Sequence, residues 1–210
     1  MLANSFFKDL DNIPELPKLS DHIFEKIIDY PKDIHVHDFS NKNNFQDLND
    51  SFSIGKYNEK RYNMYKGELF EKQSRFIHMG IDIGAPVGTI VKSFYDGEIF
   101  LFKNNNLKFD YGYTIITKHC FNNQDLYALY GHLSKSSILN KKIGKKIQSG
   151  EPLAYVGEKK ENGGWPPHVH FQLCLIEPKE CDLPGVVSEE QHELAMKIFP
   201  DPRIVLGKIY

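Results

Sequence analysis

The chain has 210 residues, of which 40% are hydrophobic and 26% are charged. This length fits one domain with extensions, and the 15 Phe and 11 Tyr can build a core that needs no covalent cross-links. The 26 Lys and Arg against 28 Asp and Glu leave a formal net charge of -2. That balance argues against the basic surface of a nucleic-acid-binding protein, and the hydrophobic content argues against intrinsic disorder.

The cysteines and the first residues indicate the compartment. Cys120, Cys174 and Cys181 form no CxxC pair, so we expect a reducing compartment rather than a disulfide framework. The N-terminal residues lack a basic region followed by an apolar run, so no signal peptide is predicted. No apolar stretch is long enough to cross a bilayer. We therefore expect a cytoplasmic protein without a membrane partner, and export by another route stays open.

The N-terminal segment, residues 1–70, is polar and is interrupted by three prolines. One helix is predicted within it, because Ser20 or Asp21 can cap a turn and the apolar residues from Ile23 to Ile28 recur on one face. The segment shows no separate core. We predict an arm that packs on the main domain.

From Arg75 onward the pattern changes to short runs in which apolar and polar residues alternate between glycine-bearing turns. Such runs are FIHMGIDIG, GEIFLF, YTIITKH, LYALYGH and PHVHFQLCL. Alternation with period two is typical of antiparallel sheets. Two further stretches, GTIVKSFYDGEIF and IGKKIQSGEPLAYVG, predict strand–turn–strand units. The sequence therefore predicts a mainly β fold with its core in residues 71–178.

Residues 179–210 are predicted to form a C-terminal helix and tail. Ser188 and Gln191 have the spacing of a capping box, and Leu194 and Ile198 then follow on one helix face. Pro200 ends the helix, because proline cannot donate the next backbone hydrogen bond.

Polar residues with metal-binding side chains interrupt the alternating runs. His78 and Asp82 lie four residues apart in one run, and His168 and His170 lie two apart in another, so each pair is predicted on one strand face. Catalytic zinc takes three ligands of these types and keeps a fourth position for water, whose pKa it lowers to about 7. Each pair alone is weak evidence, as is His132 after a glycine. A site requires that the three pieces meet in space.

The order HMGID, YALYGHLS and HVHF resembles the lysostaphin/LytM-type zinc metallopeptidases, a family of glycyl-glycine and peptidoglycan endopeptidases. The resemblance covers about residues 75–176 and includes all five polar positions of the family pattern. It implies the family's antiparallel β core, a duplicated hybrid motif with short flanking helices. It also implies one zinc ion per chain, with the ligands His78, Asp82 and His170 and the catalytic residues His132 and His168.

The implied activity is that of a zinc-dependent endopeptidase, which hydrolyses peptide bonds by attack of zinc-bound water. The implied substrates are peptides, including peptidoglycan stem or cross-bridge peptides. Trp165 is expected beside the substrate, although core packing explains it equally well, and Tyr113 and Arg75 are weaker candidates. His35 and His37 form a second HVH motif without a partner motif, so we expect them at the surface or in packing roles.

The stretch NGGWPPHVHFQL, with CDLPGV and FPDPRIVLG after it, is similar to a particular branch of the family. In that branch the peptidase-like domain is often joined to kinase-like and class III aminotransferase domains. Two alternatives to a cell-wall peptidase stay open. One is a binding or regulatory module that retains zinc, and the other is a hydrolase of a cytoplasmic substrate outside the cell wall. The N-terminal arm could also lie across the cleft and keep the enzyme latent. The oligomeric state is left open.

Overall fold

The structure, a computed structural model, describes residues 6–8, 10, 12–40, 52–62, 64–65, 70 and 74–210. The strands within these residues are β1 (His35–Val36), β2 (Ser53–Gly55), β3 (Glu59–Lys60), β4 (Ile77–His78), β5 (Ile81–Gly84), β6 (Ile90–Lys92), β7 (Gly97–Asn105), β8 (Gly112–Phe121), β9 (Gln124–Leu133), β10 (Lys146–Ile147), β11 (Pro152–Tyr155), β12 (His168–Cys174) and β13 (Val186–Val187). A 3-10 turn covers Lys135–Ser137, and the helices are α1 (Glu189–Ile198) and α2 (Arg203–Leu206).

The main sheet has eight strands in the order β1-β2-β5-β12-β9-β8-β7-β10. Its described pairings are antiparallel except that of β1 with β2. The predicted mainly β, antiparallel fold is therefore confirmed. β12 lies between β5 and β9, so that His170 is opposite Asp82 on one side and Gly131 on the other. Its apolar residues Val169, Phe171 and Leu173 are fully buried in the core, where Phe171→Ala would cost about 3–5 kcal/mol.

In each of the two predicted strand–turn–strand stretches, the strands pair with strands of the other stretch and not with each other. β6 pairs with β11 in a separate two-stranded sheet, whereas β7 pairs with β10 at the edge of the main sheet. The strands of each stretch therefore belong to two different sheets. Local pattern indicates the strands, but the pairing depends on contacts between residues about fifty positions apart.

The helix predicted near Ser20 does not form, and that prediction is wrong. The backbone there bonds to the β region instead: the Glu25 N–H donates to the Phe94 carbonyl at 2.9 Å, and the Ile27 carbonyl accepts from the Lys92 N–H at 2.8 Å. Ile27 is buried in the core. Pairing with the main domain has overridden the helical pattern.

The C-terminal helix is confirmed. α1 begins after Ser188, whose N–H donates to the Gln191 side-chain oxygen at 3.1 Å. Ala195 and Ile198 are its buried residues. No helix in the described part of the chain has the length and apolar character needed to cross a membrane. The division into residues 1–70, 71–178 and 179–210 stays a prediction.

Candidate metal centre

Three metal-binding side chains meet beside the middle of β12. His170 lies directly opposite Asp82 of β5, and His170 Nδ1 is 3.0 Å from Asp82 Oδ1. His78 Nε2 is 3.1 Å from the same carboxylate oxygen and 3.0 Å from His170 Nδ1. Ligand atoms of a tetrahedral zinc ion with bonds of about 2.0–2.1 Å lie about 3.3 Å apart. These three atoms can therefore hold one metal ion after small adjustments.

His78 and Asp82 stand on two strands of different sheets rather than on one strand, which corrects the sequence-based expectation. β4, which ends at His78, belongs to a three-stranded sheet with β3 and β13, whereas Asp82 lies in the main sheet. Gly80 lies between the two strands, and a Cβ atom there would be 2.5 Å from the ring of His170. Glycine at this position makes room for the His170 ring.

The two histidines of this group have fixed orientations. His78 Nδ1 donates to the Lys56 carbonyl at 2.9 Å, and His170 Nε2 donates to Gln172 Oε1 at 3.0 Å. Both acceptors are oxygens without a proton to give, so His78 Nε2 and His170 Nδ1 keep their lone pairs. Burial lowers the pKa of His78 to about 4. The ring is therefore neutral at pH 7, as metal binding requires.

Asp82 has a partner that the sequence did not reveal. Arg61 Nη1 donates to Asp82 Oδ2 at 2.7 Å, and Arg61 Nε donates to Glu59 Oε2 at 2.9 Å. Burial opposes ionisation of Asp82, but the positive charge of the Arg61 guanidinium beside it holds the pKa of the carboxyl well below its usual range. Asp82 is therefore a carboxylate at neutral pH. The alternation of Glu59 and Arg61 in NEKRY was the one available signal, and it is common in exposed strands.

His132 and His168 face each other next to this group, with ring centroids 4.2 Å apart. His132 Nδ1 donates to the Asn162 carbonyl at 2.8 Å, and His168 Nδ1 donates to the Pro166 carbonyl at 2.7 Å. The Nε2 atom of each ring therefore carries the lone pair in the neutral form. Burial lowers the pKa of both rings, that of His132 well below its usual range. Both rings are therefore neutral at pH 7.

The backbone of His132 lies in the left-handed region, with φ of 61°. This conformation is uncommon outside glycine and costs on the order of 1 kcal/mol or more. The surrounding backbone holds it in place, because the His132 N–H donates to the Tyr111 carbonyl at 2.7 Å and its carbonyl accepts from the Gly157 N–H at 3.0 Å. With this backbone conformation, the His132 ring lies beside the ring of His168.

One cavity joins these five side chains. Trp165 lines it, with its indole 5.3 Å from the Phe109 ring and 6.4 Å from the His132 ring, centroid to centroid. Arg75 also lines it and is buried. The residues expected beside a substrate are thus at the cavity, with one exception.

Tyr113 is that exception. Among the described residues, those lining the cavity include Tyr111 but not Tyr113, which borders a separate surface depression beside Lys159. Tyr111 packs its ring 5.2 Å from that of His170. Gly112, between the two tyrosines, has φ of 62°, in the left-handed region of the backbone.

The HVH motif of residues 35–37 also reaches this cavity. His37 lines it and is buried, and its ring stacks on Phe39 with centroids 4.8 Å apart. Burial lowers the pKa of His37 to about 4. His35 is exposed.

Comparison with known proteins identifies a family. The model of peptidase family M23 matches residues 76–180. The DD-carboxypeptidase/endopeptidase Mpg of Neisseria meningitidis serogroup B is 33% identical over 99 residues, which are 47% of this chain and 20% of that protein. The same protein of Neisseria gonorrhoeae matches equally. The chain thus matches about a fifth of the length of these curated relatives.

Solved structures of M23 proteins are similar to this chain over much of its length. A catalytic-domain mutant of the prophage-encoded M23 protein EnpA from Enterococcus faecalis has 26% identity and a TM-score of 0.45, covering 63% of this chain and 88% of that one. The catalytic domain of lysostaphin from Staphylococcus simulans has 21% identity and a TM-score of 0.47, covering 69% and 92%.

The matched range spans half of the chain and contains His78, Asp82, His132, His168 and His170. The resemblance to the lysostaphin/LytM-type family is thereby confirmed, whereas the branch with joined domains stays a prediction. The chain belongs to peptidase family M23.

Proposed function

We propose that this chain is a zinc-dependent metalloendopeptidase with one zinc ion per chain. The observation that carries the proposal is the convergence of His78 Nε2, Asp82 Oδ1 and His170 Nδ1 within 3.1 Å of one another. Two neutral imidazoles and one carboxylate suit Zn²⁺ and leave a tetrahedral position open. A bound Zn²⁺ supplies Lewis acidity toward the scissile carbonyl and makes water nucleophilic at neutral pH.

We assign proton transfer to His132 and His168. Each ring has its Nδ1 proton committed to a backbone carbonyl, so its Nε2 is the atom that takes up a proton. One ring accepts the proton of the attacking water and later delivers a proton to the leaving amine. The other ring, in its form protonated at Nε2, donates that proton in a hydrogen bond to the carbonyl oxygen and stabilises its negative charge. Their lowered pKa values keep both rings neutral until the reaction begins.

The proposed substrate is a peptide, with peptidoglycan stem or cross-bridge peptides as the first candidates. Membership of peptidase family M23 and the similarity to a protein named a DD-carboxypeptidase/endopeptidase support this choice. Trp165 is proposed to form one wall of the substrate cavity beside His132. Trp165→Ala should therefore raise KM for the best peptide while the zinc content stays unchanged.

The test is metal analysis combined with peptide hydrolysis. Protein purified without chelators should contain about one zinc per chain. It should cleave Gly-Gly or stem peptides, lose the activity with a chelator and regain it with added Zn²⁺. Absence of zinc, or hydrolysis that resists the chelator, would contradict the proposal.

The same peptide panel separates the alternatives. Zinc without cleavage, but with measurable peptide binding, would favour a binding or regulatory module. Cleavage of peptides unrelated to the cell wall, with none of the cell-wall peptides cut, would favour a cytoplasmic substrate.

A further inference from the structure

The β2–β3 segment, residues 52–61, precedes the residues that match the family, yet it borders the metal centre. β2 pairs with β5 so that Gly55 lies directly opposite Asp82. β3 pairs with β4 so that Glu59 lies directly opposite His78. Both strands of the HxxxD pattern therefore have this segment as a sheet neighbour.

The segment also makes direct hydrogen bonds to two of the three metal-binding side chains. The Lys56 carbonyl accepts from His78 Nδ1 at 2.9 Å, and Arg61 Nη1 donates to Asp82 Oδ2 at 2.7 Å. Arg61 Nη2 lies 3.3 Å from the Lys56 carbonyl and donates to it as well. These contacts link the two side chains through one short stretch of backbone.

Arg61 is held tightly in this position. Its side chain is 1% exposed, and it donates to Glu59 Oε2 at 2.9 Å and to the Tyr65 hydroxyl at 3.0 Å. Its guanidinium carbon lies 4.8 Å from the centroid of the Phe39 ring. A buried guanidinium is tolerated only when its charge is paired. Glu59 and Asp82 both pair with Arg61, and Glu59 Oε1 also lies 3.4 Å from Lys56 Nζ.

Gly55 leaves the space that the contact between Arg61 and Asp82 needs. A Cβ atom at that position would lie 2.7 Å from Arg61 Nη2 and 3.2 Å from the Asp82 Cβ. The missing side chain lets the guanidinium reach the carboxylate from the side of β2.

We propose that residues 52–61 complete the metal centre and that Arg61 is a positioning residue for Asp82. This inference rests on the proposed zinc site. With Oδ2 bound to the guanidinium, the carboxylate presents Oδ1 alone to the metal, and the remaining coordination position stays open for water or substrate. The segment is then a component of the catalytic unit and not a removable inhibitory arm.

The test compares zinc affinity in Arg61→Met, Arg61→Lys and the control Lys60→Met. Lys60 is the adjacent residue of β3, and its ammonium pairs with the exposed Glu189. Competition with a chromophoric chelator should show zinc Kd raised about 10–100-fold in Arg61→Met and by a smaller factor in Arg61→Lys, which keeps a donor. Lys60→Met should bind zinc as the wild type does.

The outcomes separate this inference from the proposed function. Equal zinc affinity in folded Arg61→Met and wild type overturns the inference and leaves the proposed function intact. A wild type that binds no zinc overturns both. Should neither Arg61 variant fold, a crystal structure of the zinc-loaded wild type decides. Asp82 bound through Oδ1, with Arg61 on Oδ2, supports the inference, whereas bidentate Asp82 overturns it.

Discussion

The chain contains the sequence His-Val-His twice, at residues 35–37 and 168–170, and the two copies have different surroundings. The second copy lies on β12, in the middle of the main sheet, where His170 is opposite Asp82 on one side and Gly131 on the other. The first copy begins on β1, at the edge of the described sheet. Its central residue, Val36, lies opposite the apolar Ile54 of β2.

The residue two positions after each motif differs as well. Gln172 accepts a hydrogen bond from His170, whereas Phe39 stacks on His37. The same three residues thus belong to the candidate metal centre in one place and to an aromatic stack in the other. The comparison indicates that the two copies differ in their cross-strand partners and in the residue that contacts the last histidine.

The largest expected effect comes from removing one histidine of each copy. His170→Ala should lower the zinc content from about one ion per chain to near zero, because it removes a ligand. His37→Ala should keep the zinc content of the wild type. Metal analysis of both purified variants checks this. Zinc loss in His37→Ala would contradict the assignment of zinc binding to the second copy alone.

The next effect separates metal binding from turnover. His132→Asn should retain zinc and lower kcat about 10²–10⁴-fold, because it removes a proton-transfer group. Asparagine is chosen since it tolerates the left-handed backbone of this position. Zinc analysis and peptide kinetics are measured together. If His132→Asn lost zinc as His170→Ala does, the assignment of His132 as a catalytic residue would be wrong.

A smaller effect tests the outer partner of the second copy. Gln172→Leu should raise zinc Kd about 10–100-fold, because His170 Nε2 loses its acceptor and the ring its fixed orientation. Cys174→Ala is the matched control, since Cys174 is buried two residues further along β12 and donates to the Ile176 carbonyl. Equal affinity in Gln172→Leu and the control would show that the outer hydrogen bond is dispensable.

The smallest effect concerns the first copy and the pH dependence of stability. Burial holds the pKa of His37 at about 4 in the folded chain, against 6.5 as its ordinary value. Its contribution to stability is present above pH 6.5 and is lost as the pH falls toward 4, because the unfolded chain then binds the extra proton. Relative to the wild type, His37→Phe should lose about 1 kcal/mol less stability between pH 8 and pH 5.5.

Urea unfolding of the metal-free protein at the two pH values checks this. An identical loss of stability in wild type and His37→Phe would show that His37 is not held neutral by burial.

The sequence predicted the side chains of the candidate site better than the groups that form hydrogen bonds to them. His78, Asp82, His132, His168 and His170 were recognisable because each stands in a short motif within an alternating run. Arg61, Gln172 and the Lys56 carbonyl were not, because the first two have no distinctive spacing and the third is a backbone atom.

The error in the fold has a similar origin. The predicted helix near Ser20 relied on local periodicity. The Lys92 N–H bonds to the Ile27 carbonyl, which a helix would have needed for its own hydrogen bonds.

By itself, the sequence predicted the β class and the C-terminal helix, since alternation and capping are properties of neighbouring residues. It predicted the five site residues through their resemblance to the family pattern. The tertiary structure alone decided that β4 and β5 belong to two sheets and that β2 lies against Asp82. It also brought Arg61 to a carboxylate 21 residues away. Sheet pairing and burial join distant segments, and no local pattern specifies which distant charge a buried carboxylate will meet.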